Sequence, residues 1–254
     1  MIPLHDENAT IRTPLVTLTL IALCVVAWFI VQGAGAEVPL AASVCNYGLV
    51  PGELLATVEP GTALPMTDDL VCVVDAGREP LHLVTHMFLH GSWMHLIGNL
   101  WFLWLFGNNV EDSMTRPRFA LFYLLCGLAA AGLQVVADTA SAVPMVGASG
   151  AISGVMGGYL VLYPRVRVHT LVPLGFFIQM FALPAWVMLI YWMAIQLLGG
   201  FTSIVAADGS GGGVAFWAHV GGFLAGVVLV KLCTARPRLA AHQASHWEPS
   251  GRYR

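Results

Sequence analysis

The chain is 254 residues long, 57% hydrophobic and only 10% charged, with a formal net charge of −3 and a mean hydropathy of +0.76. A soluble domain carries about 25% charged residues, so this composition excludes an ordinary soluble protein and reads as a polytopic membrane protein. No basic run is present, so nothing points to nucleic acid.

Apolar runs long enough to cross a bilayer lie near 15–33, 94–110, 117–137, 149–164, 184–201 and 214–231; a spanning helix takes roughly 17–25 residues. The fold class expected is an all-α membrane protein with six transmembrane helices and a long outer first loop. Its parts are an N-terminal segment at 1–14, a six-helix domain at 15–233 with the loop at 34–92, and a tail at 234–254. The "GAGAEV" after the first run looks like a signal-peptidase site. However, an apolar run of about 18 residues exceeds the usual signal core of roughly 7–15, which favours a retained helix.

With the N-terminus in the cytoplasm, six spans return the C-terminus to the same side. Arg12, Arg116, Arg118, Arg165, Arg167, Lys231, Arg236, Arg238, Arg252 and Arg254 then lie inside and only Arg78 outside. This is a strong positive-inside asymmetry. The expected location is a bacterial inner (cell) membrane with both termini cytoplasmic. Cys24, Cys126 and Cys233 fall in or at the edge of apolar runs and read as packing residues. Cys45 and Cys72 share the outer loop, where an oxidising compartment would permit a disulfide.

The second run opens "HGSWMHLIGNLWFLWLFGNNVED", in which His95 and Asn99 are four apart and share a helix face. Polar residues in a span are costly and commonly functional, although a pair bonding across helices would satisfy the same pattern. The fourth run begins "GASGAISGVMGGY". Ser149, Gly150, Ser153, Gly154, Gly157 and Gly158 form a face with nothing larger than serine, suited to close helix packing. Packing does not account for Ser149 in the first turn, where free N–H groups and a partial positive charge could hold an oxyanion. In the sixth run, Ala215, Ala218, His219, Gly222 and Gly226 share one face. Gly150, Gly154, Gly158, Gly222 and Gly226 are the expected packing glycines, and their contact would carry His219 toward Ser149. Spans two, four and six run in the same direction, and His95, Asn99, Ser149 and His219 all lie within about two turns of their starts, at one level below the outer surface.

A serine hydroxyl needs an adjacent base, and histidine suits that role near neutral pH. Ser149 is the expected nucleophile and His219 the base, with Asn99, His95 and the Ser149 N–H as oxyanion donors. Asp138 and Asp208 lie in outer loops, and Glu111 and Asp112 at the inner end of span two. A dyad without an acid is therefore expected. No HExxH helix and no pair of mid-span aspartates occurs. His82, His86, His90 and His95 lack a clear complementary ligand set, so no metal and no other cofactor is expected. The loop "TSIVAADGSGGG" at 202–213 reads as a mobile cap over the site, with span five, starting at Pro184, as the other moving part.

These motifs resemble the rhomboid family of intramembrane serine proteases: "THMFLHGSWMHLIGN" with His95 and Asn99, "GASG" with Gly147, Ser149 and Gly150, and "AHVGGFLAG" with His219, supported by "YGLVPGELLA" and "FGNNVED". The resemblance covers roughly residues 12 to 233. It implies a six-helix core, a Ser–His dyad, and hydrolysis of transmembrane protein substrates near one membrane face. It also implies that His86 and Glu111 brace the first loop and the second span. Leu81-His82 stands where many rhomboids have Trp-Arg, which puts the usual anchoring of the first loop in question. Beside an active protease stand two other readings: a rhomboid-like binding or quality-control protein without catalysis, and a transporter. The first typically lacks the serine or the histidine, and both are kept here. The second expects charged midplane residues or interrupted helices in matching halves, which are not found. The oligomeric state is not indicated.

Overall fold

The computed structural model of the chain describes residues 1–67, 70–77, 79–174, 177–205 and 215–246. It is mostly helical. After β1 (Ile2–Asp6), α1 (Leu15–Val26) begins behind Pro14 and continues through a π-helical turn to Val31. α5 (Trp93–Phe102) likewise runs through a π-helical turn into α6 (Asn108–Asp112). α7 (Arg116–Ala137), α8 (Ser149–Leu162), α9 (Ala185–Val205) and α10 (Phe216–Cys233) complete the bundle, and α11 (Arg236–His246) closes the described chain. Among the described residues, three helical stretches are long and apolar enough to cross a membrane, Arg116–Ala137, Ala185–Thr202 and Phe216–Cys233; Leu15–Val31 and Ser149–Leu162 are shorter apolar helices.

The centre of the bundle is α8. Every residue from Gly150 to Tyr159 is buried, as an all-round apolar or small sequence requires. Its 14 residues at about 1.5 Å each give a rod of roughly 21 Å, short of a hydrocarbon core of about 30 Å. The glycines set its distance from α10. A Cβ on Gly222 would come within 1.9 Å of the Gly150 carbonyl oxygen, and one on Gly226 within 1.9 Å of that of Gly154. On the other side, a Cβ on Gly154 would meet the Cys126 side chain of α7 at 2.3 Å, and one on Gly158 the Phe122 ring at 3.1 Å. Cys24, Cys126 and Cys233 are free and buried.

The first loop is built rather than slack. It holds α2 (Glu37–Tyr47), α3 (Pro51–Leu55), a hairpin of β2 (Ala63–Pro65) with β3 (Val71–Val73), and α4 (His82–Thr85) leading into a 3-10 turn at His86–Phe88. A disulfide joins Cys45 on α2 to Cys72 on β3. Leu49 and Met145 exchange backbone hydrogen bonds at 2.9 and 2.8 Å, fastening this loop to the segment that enters α8.

Two features lie outside the expected six-helix bundle. β4 (Arg167–Leu174) and β5 (Phe177–Pro184) form an antiparallel hairpin between α8 and α9, and β1 adds to the β4 edge with Ile2 opposite Leu171. Residues 167–184 are rich in β-branched and aromatic side chains and interrupted by Pro173, a composition that favours strand over helix. The tail beyond 233 is also helical and docked: His242 on α11 is fully buried between Asp112 Oδ2 at 2.9 Å and Asn8 Oδ1 at 2.8 Å.

Candidate functional site

Ser149 is the first residue of α8, so its N–H and those of Gly150 and Ala151 have no partner within the helix. The approach to it is shaped by Gly147. That residue has φ +127°, which favours glycine, and a Cβ there would sit 2.8 Å from His95 Nε2 and 3.5 Å from Ser149 Oγ. Its N–H donates to the His86 carbonyl at 2.9 Å. His86 is in turn held by Nδ1 donating to the His82 carbonyl at 2.7 Å, and burial pushes its imidazole down to about 4, so it stays neutral. The first loop therefore carries the backbone that presents Ser149.

His219 projects from the first turn of α10. Its Nε2 lies 2.8 Å from Ser149 Oγ. Its Nδ1 lies 2.7 Å from Gln196 Oε1 on α9. An amide oxygen only accepts, so Nδ1 carries the proton and Nε2 is left with the lone pair facing the serine hydroxyl. Trp192, one turn before Gln196, packs against the imidazole with ring centroids 5.6 Å apart. Ser149 and His219 are each half-buried, so the pair is reachable, whereas Gln196 behind it is buried.

His95 and Asn99 share a face of α5. Ser92 caps that helix by accepting the His95 N–H at 3.1 Å, and His95 Nδ1 accepts the Gly91 N–H at 3.3 Å. This leaves His95 Nε2 turned to Gly147, two residues from Ser149. Asn99 is buried, and its Nδ2 has no hydrogen-bond partner among the described residues. No bond joins Asn99 to Ser149 or His219. An unpaired buried amide is costly, and it is the kind of donor that a reacting oxygen would satisfy.

The bracing residues lie around this centre. Gln32 holds the backbone of His90 on both sides, donating to its carbonyl and accepting its N–H, each at 2.8 Å. Glu111 accepts from Val16 N–H at 3.0 Å and from Thr17 N–H and Oγ1 at 2.8 Å, tying α6 to the start of α1. The Leu81 side chain is 65% exposed, while the His82 carbonyl holds the His86 ring. Within the expected cap at 202–213, α9 extends through Val205, and 206–213 lie outside the described residues.

Sequence reasoning passed over Gln196. The available signal was a single amide in the apolar stretch "YWMAIQLLGG"; a polar side chain in such a stretch is commonly functional, but the stretch does not name its partner.

The family model described as the rhomboid domain matches residues 77–236. Similar relatives are Rhomboid-like protein 11, chloroplastic, of Arabidopsis thaliana, 30% identical over 63% of this chain and 55% of that protein, and RHOMBOID-like protein 5 of the same plant, 29% identical over 63% of this chain and 46% of that protein. Presenilin-associated rhomboid-like protein A, mitochondrial, of Danio rerio is 30% identical over 34% of this chain and 23% of that protein. The chain spans about half the length of the two plant relatives. The domain match holds every residue of the Ser149, His219, His95 and Asn99 cluster, and the chain belongs to the rhomboid family.

Proposed function

We propose that the protein is an intramembrane serine endopeptidase that cleaves transmembrane segments of other membrane proteins near one face of the bilayer. The observation that carries this is the 2.8 Å contact between Ser149 Oγ and His219 Nε2, with the imidazole tautomer set by Gln196. His219 Nε2 takes the hydroxyl proton as Ser149 Oγ attacks the scissile carbonyl, then returns it to the leaving amine. The acyl-enzyme is hydrolysed by water through the same base. The Ser149 N–H, Asn99 Nδ2 and His95 Nε2 supply the oxyanion donors. In this reading Trp93–Asp112 and Leu15–Val31 join the other apolar helices to make six spans. The arginine asymmetry supports a reading with both termini on the cytoplasmic side and the site near the opposite face.

The test is labelling of the purified protein with a fluorophosphonate, together with cleavage of a single-span model substrate in detergent. Wild type should label and cleave; Ser149→Ala and His219→Ala should do neither while keeping the wild-type thermal midpoint. Cleavage by Ser149→Ala at a near-wild-type rate would remove the assignment. Intact binding of the model substrate with no labelling in wild type would favour a non-catalytic rhomboid-like binding protein.

A further inference from the structure

At the end of the bundle opposite Ser149, a cavity of about 280 Å³ opens between the starts of α1 and α7 and the end of α6. Arg12, Arg116 and Arg238, from three separate segments, line it together with Thr115, Glu111 and Asp112. The two acids are already engaged. Both Glu111 oxygens accept from Val16 and Thr17. Asp112 Oδ1 accepts from Arg12, and Oδ2 from the Ile11 N–H and His242. The arginines are not exhausted. Arg12 uses Nη1 on Asp112, Arg238 uses Nη1 on the Met114 carbonyl at 2.8 Å, and Arg116 makes no hydrogen bond or ion pair among the described residues. A guanidinium offers five donors in a fork that matches a phosphate. Thr115, which precedes α7, makes no side-chain cap bond, so its hydroxyl is also free.

We propose that this cavity binds an anionic phosphate group, supplied by the headgroup of a phospholipid in the leaflet it faces. The lipid source is favoured by what lies directly beyond the cavity. Leu15 and Leu18 on α1 and Leu121, Leu124 and Leu125 on α7 are exposed apolar side chains one to two turns into the bundle, where acyl chains would run. Basic pockets between membrane helices are suited to acidic headgroups. A bound phosphate would bridge α1, α7 and α11 and so clamp the end of the molecule remote from the reaction.

The experiment follows the thermal midpoint of the purified full chain in dodecyl maltoside while dioctanoyl phosphatidylglycerol, dioctanoyl phosphatidylcholine or inorganic phosphate is added. Phosphatidylglycerol should stabilise at concentrations about tenfold lower than phosphatidylcholine. Arg116→Gln should weaken that response about tenfold, and Arg118→Gln, one exposed arginine further along α7 and outside the cavity, should leave it unchanged. Stabilisation by inorganic phosphate as effective as by the lipid, and equally lost in Arg116→Gln, supports the phosphate site and assigns its source to the soluble ion. An equal response to both lipids, or an equal loss in Arg116→Gln and Arg118→Gln, overturns the proposal. The readout is binding alone, so it stands apart from whether Ser149 is reactive.

Discussion

Gln196 Oε1 accepts a hydrogen bond from His219 Nδ1 at 2.7 Å, so an amide on α9 stands where an acid would stand in a triad. It can fix the tautomer and aim of the imidazole, but it cannot neutralise an imidazolium. Gln196 is therefore a positioning residue. Removing it leaves a buried N–H unpaired, a cost of about 1–3 kcal/mol. Gln196→Ala should lower kcat by roughly tenfold or more with KM little changed, and Gln196→Glu should restore the rate and move the acid limb of the pH profile to higher pH, because a carboxylate stabilises the protonated base. A kcat in Gln196→Ala equal to wild type would reduce the contact to packing.

Asn99 offers a separation of activity from stability. Its Nδ2 is buried and unpaired among the described residues, so the folded protein carries a desolvated donor that the proposed reaction intermediate would use. Asn99→Leu should hold or raise the thermal midpoint, because an unsatisfied polar group is exchanged for an apolar one of similar volume. Cleavage should fall by about 10²–10³, as for loss of one oxyanion donor. A variant that lost both stability and activity would mark Asn99 as a structural residue instead.

The helix contact that brings Ser149 and His219 together makes a third test. Gly222 has the Gly150 carbonyl oxygen 1.9 Å from where a Cβ would stand, whereas Gly132 on α7 has nothing within 4 Å. Gly222→Ala must push α10 off α8. It should cost about 1–3 kcal/mol and abolish fluorophosphonate labelling, since Ser149 and His219 ride on those helices. Gly132→Ala should be neutral or gain about 0.5–1 kcal/mol from the lost unfolded-state freedom of glycine. Similar shifts in both variants would show that backbone approach does not control the pair.

The residues legible in the sequence were those that a bilayer makes conspicuous. Ser149 and His219 stand out because a polar side chain inside an apolar, glycine-lined run needs a reason, and their shared depth could be counted from the span starts. Gln196 was not legible in that way. Its meaning depends on α9 facing α10, a tertiary fact that no local pattern states. The β1–β4 pairing joins Ile2 to Leu171 across most of the chain, and strand propensity alone cannot select so distant a partner. The Cys45–Cys72 disulfide was left open for the same reason. Two cysteines in one loop can pair only if α2 and β3 are neighbours, and that neighbourhood is set by packing rather than by spacing. The docking of α11 through His242 likewise had no local signature in a polar tail.

The last prediction concerns pH and the polar knot beneath α8. Burial pushes the Asp6 carboxyl up to about 7, against the lowering effect of the hydrogen bond from Tyr159. Asp6 Oδ2 also accepts from Asn109 Nδ2 at 2.9 Å. A carboxyl whose folded pKa is raised binds its proton more tightly in the folded state. Its contribution is thus fully present below the unfolded value near 3.8 and is lost as pH rises through about 7. Asp6→Asn keeps an oxygen in place for Tyr159 and removes the titration. Relative to that variant, wild type should lose roughly 2–3 kcal/mol between pH 5 and pH 8, two units below the folded value accounting for the size. His86 titrates in the opposite sense, because burial lowers it to about 4, but it is common to both proteins and cancels in the difference. Unfolding midpoints of the two proteins across this range provide the measurement. Curves that run parallel from pH 5 to pH 8 would show that Asp6 is ionised throughout and that the knot holds a carboxylate rather than a proton.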